Sequence, residues 1–193
     1  MKHRNLGREW IVMDWREVLM LNIFRIVRML HLDKLLHIMG STRAFADYFK
    51  GMENVKAVRQ IFGEKTEEVL RNLKVEFMWF GGYMFVNGAD GHLMISANYL
   101  KNGSKVDIYL DLIHELVHIR QFMEGKELFD VHYTYTERPT EVEAYRHAVE
   151  EARNLGLSDD RICQYLKTEW MSSKDLKRLA DTLSVKCEHY LAS

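Results

Sequence analysis

The sequence predicts an α+β fold in which a small antiparallel or mixed sheet packs on a long helix, with helical additions at both ends. Three observations lead to this prediction. Apolar residues recur at helical spacing before about residue 72 and again from about residue 107. Between these regions, residues 74–100 contain short aromatic and β-branched runs separated by glycine-containing turns. The chain has one proline in 193 residues, which favours long helices.

The length and composition are those of a globular protein, and we expect residues 1–193 to form a single domain. Within it we distinguish a helical N-terminal part (1–72), a central part (73–156) and C-terminal helices (157–193). An apolar fraction of 47% excludes a disordered chain. The 27 basic and 28 acidic residues leave no basic excess, so no nucleic-acid partner is expected.

The N-terminal part is predicted to contain helices over residues 18–39, 42–50 and 54–73. Charged residues interrupt the first helix, so it lacks the roughly 20 apolar residues of a transmembrane segment. We interpret it as an amphipathic core helix, although a basic amphipathic helix can also lie on a membrane or dock a partner. Its histidines, His31 and His37, are expected to be core or half-exposed residues rather than metal ligands.

The central part is predicted to begin with a small sheet. Strands are expected within residues 75–80, 83–86 and 92–96, because these runs are short, apolar and bounded by glycine-containing turns. The helical period then returns, and Gly125 and Gly156 stand where C-terminal caps of two helices are expected.

The two cysteines, Cys163 and Cys187, are too few for a disulfide framework, and we expect them to be buried thiols. The basic start of the chain is not followed by the apolar run and cleavage site of a signal peptide. Both observations favour a cytoplasmic location.

The motif that carries chemistry is His114-Glu115-Leu116-Val117-His118. Residues four apart on a helix lie one above the other, so both imidazoles can reach one metal ion while Glu115 sits beside them. Zinc in a hydrolytic site uses three protein ligands and keeps a fourth position for water, whose proton a nearby carboxylate can remove. The spacing therefore indicates a zinc-dependent hydrolytic site.

The context of the motif supports this interpretation. Asp107, Asp111, His114, His118 and Gln121 form a narrow polar strip with apolar residues on both sides, which predicts a largely buried helix. Buried imidazoles need partners for their ring nitrogens. Two core histidines that donate to carbonyl groups are the simpler alternative.

A third ligand is expected downstream, among the acidic and imidazole side chains Asp130, His132, Glu137, Glu141, Glu143 and His147. Glu141 is the best candidate, because it shares a helix face with small and apolar residues, and a carboxylate there is costly unless it binds a cation. Glu143 falls on the opposite, solvated face and completes a capping box with Thr140, which gives it a structural role.

This arrangement resembles the gluzincins, zinc metallopeptidases in which a His-Glu-x-x-His helix and a glutamate on a second helix hold the ion. The 22 residues between His118 and Glu141 suit the short, single-domain members called minigluzincins. The resemblance covers about residues 74–156 and implies a zincin-like core whose sheet lies against the active-site helix. It also implies that substrate pairs with an edge strand, for which residues 92–99 are the candidate. One departure is Tyr145, which stands where many gluzincins have Asp or Asn supporting a histidine.

We therefore expect a zinc-dependent metallopeptidase that holds one Zn²⁺ and acts on a peptide or protein substrate. The metal ligands are His114, His118 and Glu141, and Glu115 is the general base. Candidates for an oxyanion donor are Tyr133, Tyr135, His132, Tyr145 and His147. Arg138 could pair with Asp111, with substrate or with a surface acid.

Two alternatives remain open. One is a zincin-fold regulatory or interaction module in which the metal joins two helices with little or no turnover. The other is a partner- or DNA-binding protein that uses its N-terminal helices, and its complex would be sensitive to salt.

Overall fold

The computed structural model of the protein describes residues 42–78 and 82–187. The helix predicted over residues 18–39 lies outside the described residues. No helix in the described ranges is long and apolar enough to cross a membrane.

A four-stranded mixed sheet forms one layer of the fold, so the α+β prediction with a small sheet is confirmed. Its strands are β1 (Thr42–Ala44), β2 (Lys74–Met78), β3 (Met84–Val86) and β4 (Leu93–Ser96), in the order β1-β2-β4-β3. The pair β2–β4 is parallel, whereas β1–β2 and β3–β4 are antiparallel. Alternate residues on β2 and β4 are fully buried, which places one sheet face against the core.

The expectation that residues 92–99 provide an edge strand is wrong. Strand β4 is internal because β2 and β3 hydrogen-bond to its two sides, and residues 97–102 form a helix instead. In the described sheet the edges are β1 and β3.

The helices predicted over 42–50 and 54–73 need correction. Residues 42–44 form β1, because pairing with β2 satisfies their backbone groups, and only Phe45–Tyr48 (α1) is helical. The second region is split into α2 (Lys56–Phe62) and α3 (Thr66–Asn72). Gly63, with φ of 59°, ends α2, and short 3₁₀ turns precede both helices (Met52–Asn54 and Gly63–Lys65).

The longest helix, α5 (Lys105–Met123), carries the His-Glu-x-x-His motif and follows the short helix α4 (Ala97–Asn102). Ser104 caps the N-terminus of α5 by accepting a hydrogen bond from the backbone N–H of Asp107. Gly125, with φ of 73°, adopts the left-handed conformation just after the helix, as predicted. Nearly every residue from Ile108 to Ile119 is buried, so α5 runs through the centre of the molecule.

Helix α6 (Pro139–Asn154) packs along α5. Ala144, Ala148 and Ala152 are fully buried on its inner face and allow a close approach of the two helices. The predicted capping box of Thr140 and Glu143 is wrong: the helix begins at Pro139, so Thr140 lies inside the first turn and Arg138 occupies the cap position.

The C-terminal part contains α7 (Asp159–Leu166) and α8 (Ser173–Thr182), and a 3₁₀ turn over Tyr135–Glu137 precedes α6. The expectation of two buried thiols is wrong, because Cys163 and Cys187 form a disulfide. The segment after α8 returns beside α7, where the backbone N–H of Lys186 donates to Asp159, and this brings the two cysteines together.

Candidate metal centre

Three buried side chains from α5 and α6 converge at one point. The Nε2 atoms of His114 and His118 lie 3.0 Å apart. Oε2 of Glu141 lies 3.3 Å from Nε2 of His114 and 3.5 Å from Nε2 of His118. Each of the three residues is about 6% exposed. Among the described residues, this is the one group of at least three His, Cys, Asp or Glu side chains with ligand atoms close enough to share a metal ion.

The dimensions of this triangle fit a zinc ion. Zinc binds imidazole nitrogen and carboxylate oxygen at roughly 2.0–2.1 Å in tetrahedral geometry, which separates neighbouring ligand atoms by about 3.3 Å. The observed separations of 3.0 to 3.5 Å bracket that value. Oε2 of Glu141 is buried without a hydrogen-bond partner of normal geometry in the described part of the chain, as suits an atom that binds a cation. The group could bind a metal ion.

His118 is held from behind by Gln121, which is fully buried one turn further along α5. The amide nitrogen of Gln121 donates to the carbonyl oxygen of Thr140 at 3.0 Å and to Oε2 of Glu143 at 2.8 Å. Its amide oxygen therefore faces Nδ1 of His118, 2.7 Å away, and accepts a hydrogen bond from it. This hydrogen bond places a proton on Nδ1, so that the neutral imidazole presents the lone pair of Nε2 to the metal position.

His114 has no such support. Its Nδ1 is buried and has no hydrogen-bond partner within residues 42–78 and 82–187. The ring instead packs edge-on against Tyr145, with centroids 4.4 Å apart. The Tyr145 hydroxyl is 2.9 Å from the hydroxyl of Tyr135. Tyr145 thus packs against the histidine without hydrogen-bonding to it.

The electrostatic environment differs between the two imidazoles. Burial lowers the pKa of His114 and outweighs the opposing effect of Glu141. Burial also acts to lower the pKa of His118, but the adjacent carboxylate of Glu141 and the charge of Glu115 outweigh it and raise the pKa to about 9. Desolvation acts to raise the pKa of Glu141, but the two imidazoles hold it well below its usual range. In the metal-free protein, the proton of this group therefore resides on His118.

Glu115 lies beside the three ligands and is also buried, with 7% of its surface exposed. Burial raises the pKa of its carboxyl to about 8, against an opposing effect of His118. Its Oε2 has no hydrogen-bond partner among the residues that the structure describes. A desolvated carboxyl of this kind is suited to accept a proton near neutral pH.

The structure places the other candidate ligands away from the centre. His132 is exposed and pairs with Asp130, and Glu137 pairs with Arg178 on α8. Glu143 contacts Arg120 and Lys126 as well as Gln121. His147 is only half-buried, and its ring lies close to charged neighbours that include Arg120 and Glu143. Of the six side chains considered from the sequence, only Glu141 faces His114 and His118.

The structure also reduces the number of candidate oxyanion donors. Tyr133 is half-exposed, and His132 and His147 do not line the metal centre. Tyr135 and Tyr145 do line a cavity beside His114 and Glu115. Arg138 is directed to Glu141, with Nη1 3.7 Å from Oε1, rather than to Asp111.

Two cavities that share lining residues adjoin the centre. One, of about 400 Å³, lies beside His118, Glu141 and Arg138, and we call it the aromatic cleft because Phe85, Phe129 and Trp170 are on its rim. The other, of about 200 Å³, extends toward the N-terminus of α5, and we call it the acidic cavity because Asp107 and Asp111 line it. His114 and Glu115 line both cavities.

Sequence reasoning missed the role of Gln121 as the partner of His118, although a signal was present. A glutamine three residues after a buried histidine on a helix lies on the same face and can reach the ring nitrogen. It also missed Glu143 as the acceptor that orients Gln121, because the capping box gave a sufficient explanation for that residue.

The chain was compared with protein-family models, curated proteins and solved structures. It matches no protein-family model, no curated protein and no solved structure.

Proposed function

We propose that the protein is a zinc-dependent metallopeptidase that hydrolyses peptide bonds. The observation that carries the proposal is the buried triangle of His114, His118 and Glu141, with the carboxyl of Glu115 beside it at the meeting point of two cavities. The gluzincin-like order of these residues along the chain agrees with it.

Zinc is proposed because two imidazoles and one carboxylate are a ligand set that zinc favours, whereas calcium and magnesium prefer oxygen ligands alone. When bound in such a set with an open position, zinc lowers the pKa of a water molecule and polarises a carbonyl group. His114, His118 and Glu141 are the residues that would hold it.

Glu115 is the proposed general base. Its raised pKa lets it accept a proton from the attacking water, and a nearby cation would bring that pKa down toward neutrality. The protonated carboxyl can then deliver the proton to the leaving amine. Both transfers need only Oε2 of Glu115, which has no hydrogen-bond partner in the described ranges.

Tyr135 is the proposed donor to the oxyanion that develops on the scissile carbonyl. It lines both cavities beside Glu115, and burial keeps its pKa well above the usual range, so the hydroxyl stays protonated. Its contact with the Tyr145 hydroxyl fixes the position of the oxygen.

The rim of the aromatic cleft supports a peptide or protein substrate. Phe85, Phe129 and Trp170 are 44%, 53% and 60% exposed, which is unusual for such large apolar side chains outside a binding surface. Phe85 belongs to β3, an edge of the described sheet, and an edge strand can hydrogen-bond an extended peptide.

A second candidate function is a regulatory or interaction module with little turnover. It is favoured by Nδ1 of His114, which lacks a hydrogen-bond partner among the described residues, and by Tyr145 at a position where a carboxylate would support that ring. The cytoplasmic location stays a prediction from the sequence, and the Cys163–Cys187 disulfide is more typical of oxidising compartments.

The test is cleavage of an unstructured protein by the zinc-loaded protein and by Glu115→Gln, followed by mass spectrometry of the products. We expect Glu115→Gln to retain zinc and to lose at least a hundredfold in rate, as loss of a general base does. The exposed acid on α6, Glu150→Gln, is the matched control and keeps the wild-type rate. Absence of cleavage by the zinc-loaded wild type would favour the module.

A further inference from the structure

The polar strip of α5 does not end at the metal centre. One turn before His114 it continues with Asp111, and a further turn back with Asp107. The proposed hydrolysis uses neither carboxylate. Both line the acidic cavity, which also reaches His114 and Glu115.

The two carboxylates have different partners. Asp107 forms an ion pair with Arg161 of α7. Asp111 accepts a hydrogen bond of 2.5 Å from the hydroxyl of Tyr99, but no lysine, arginine or histidine of the described ranges lies within 4.0 Å of it. Lys167 is exposed and lines the same cavity without forming an ion pair with Asp111. A desolvated carboxylate that has only hydroxyl partners lacks the counter-ion that would offset its burial.

A second observation also indicates an absent polar group. Thr168 lines the acidic cavity, and its buried hydroxyl oxygen has no hydrogen-bond partner in the part of the chain that is described. Buried hydroxyls are normally satisfied, so a ligand with polar hydrogens or a water molecule is expected beside it.

The remaining walls suit a cation. Tyr83 lies between Tyr99 and Trp170, with ring centroids 5.0 Å and 5.7 Å away, and all three rings line the cavity. Aromatic faces attract ammonium and guanidinium groups. Burial and the nearby negative charges of Glu169, Asp111 and Asp107 raise the pKa of the Tyr83 hydroxyl, so it stays protonated.

We propose that the acidic cavity binds a positively charged group of the substrate next to the scissile bond, with Asp111 as its counter-ion. The inference rests on the proposed peptidase function and names the substrate class of that site. The cation is an ammonium or guanidinium group, supplied either by a Lys or Arg side chain or by a free N-terminal amine. The volume of about 200 Å³ accommodates one such group and its stem.

The test compares peptides that differ only in charge. One arm uses peptides with a blocked N-terminus and either lysine or norleucine at each position around the cleavage site. The other arm uses peptides without Lys or Arg whose N-terminus is either free or acetylated. In wild type, we expect the charged peptide of one pair, either lysine against norleucine or free against acetylated N-terminus, to have a kcat/KM at least tenfold higher than its neutral counterpart. The pair that shows this difference identifies the source of the cation.

In Asp111→Asn, the charged-to-neutral ratio should fall by at least tenfold. Glu150→Gln, an exposed acid on α6 that does not line the cavity, is the matched control and keeps the preference. Zinc content and circular dichroism monitor folding, and Asp111→Ser serves if the asparagine variant does not fold. A ratio near one in both arms for wild type, or a preference that survives in the Asp111 variant, would overturn the inference.

A binding measurement separates this inference from the peptidase proposal. The indole N–H resonance of Trp170, assigned with Trp170→Phe, should shift on titration of the zinc-loaded protein with n-pentylamine but not with n-pentanol. The shift should disappear in Asp111→Asn. If no peptide is cleaved, the peptidase proposal fails, and this titration alone decides whether the cavity binds cations; equal responses to amine and alcohol would contradict it.

Discussion

The two histidines of the metal centre lie one helical turn apart on α5 and have very different surroundings. On the His118 side, a chain of polar contacts runs from Nδ1 through Gln121 to Glu143 and ends at Arg120 and Lys126 near the surface. On the His114 side, Nδ1 has no partner among the described residues, and the ring packs on Tyr145.

This difference suggests a division of roles. The His118 side fixes the tautomer and orientation of one ligand through hydrogen bonds. On the His114 side, the ring packs on Tyr145, Nδ1 has no hydrogen-bond partner in the described ranges, and the site opens onto the acidic cavity with Asp111. Zinc affinity should therefore depend more strongly on polar contacts around His118, and substrate preference on the side of His114.

The largest effect expected is the pH dependence of zinc binding. Because the pKa of His118 is raised to about 9, this imidazole carries a proton below that pH and must release it to bind zinc. Zinc affinity should therefore increase with pH, by roughly tenfold per unit between pH 6 and pH 8. Competition with a chelator of known affinity measures it, and NMR of the imidazole nitrogens should show a proton on His118 and a neutral His114 in the metal-free protein. An affinity independent of pH would contradict the assignment.

The next effect comes from removing the support of His118. Gln121→Ala leaves Nδ1 without its acceptor, and zinc affinity should fall by about 10- to 100-fold. Tyr145→Phe is the matched change on the other side, because it removes a hydroxyl that hydrogen-bonds to Tyr135 and keeps the ring that packs on His114. It should alter zinc affinity by less than about threefold. Equal losses in the two variants would remove the distinction between the two sides.

On the His114 side, the pH dependence of the free energy of unfolding tests whether burial perturbs Asp111. Burial raises its pKa to about 6, so the native state keeps this proton to higher pH than the unfolded chain does. The raised pKa of Asp111 therefore stabilises the native state below about pH 4, and this stabilisation is lost as the pH rises to about 6. Relative to wild type, Asp111→Asn should gain on the order of 2 kcal/mol across that window.

Urea unfolding at several pH values measures this difference. Groups that titrate in both proteins cancel, and Glu169→Gln should show no such gain because its carboxylate is exposed. A constant difference between Asp111→Asn and wild type would show that Asp111 is not perturbed.

The smallest effect is expected at the outer end of the polar chain. Glu143→Gln keeps an oxygen that can accept from Gln121 but loses the charge that faces Arg120 and Lys126. The pairs are partly exposed, so zinc affinity should fall only about twofold. Calorimetric titration with zinc measures it, and a loss as large as that of Gln121→Ala would place the essential contact at Glu143 instead.

Much of the site could be predicted from the sequence because its information is local. The four-residue spacing on a helix aligns His114 with His118, and the face that Glu141 shares with three alanines places it toward α5. The α+β class could be predicted because the spacing of apolar residues differs between the helical regions and the sheet region.

What could not be predicted depends on contacts between distant parts of the chain. Residues 42–44 form a strand only because β2 lies beside them, and β4 is internal because it pairs in parallel with β2. The disulfide requires the segment after α8 to return to α7. Local periodicity contains none of these pairings.

The most direct measurement is the zinc content of the purified protein beside that of His114→Ala, determined by elemental analysis. We expect about one zinc per chain in wild type and a small fraction of that in the variant, since three protein ligands are needed to hold the ion. Equally little zinc in both proteins, or equal zinc in both, would contradict the assignment of His114, His118 and Glu141 as the metal site.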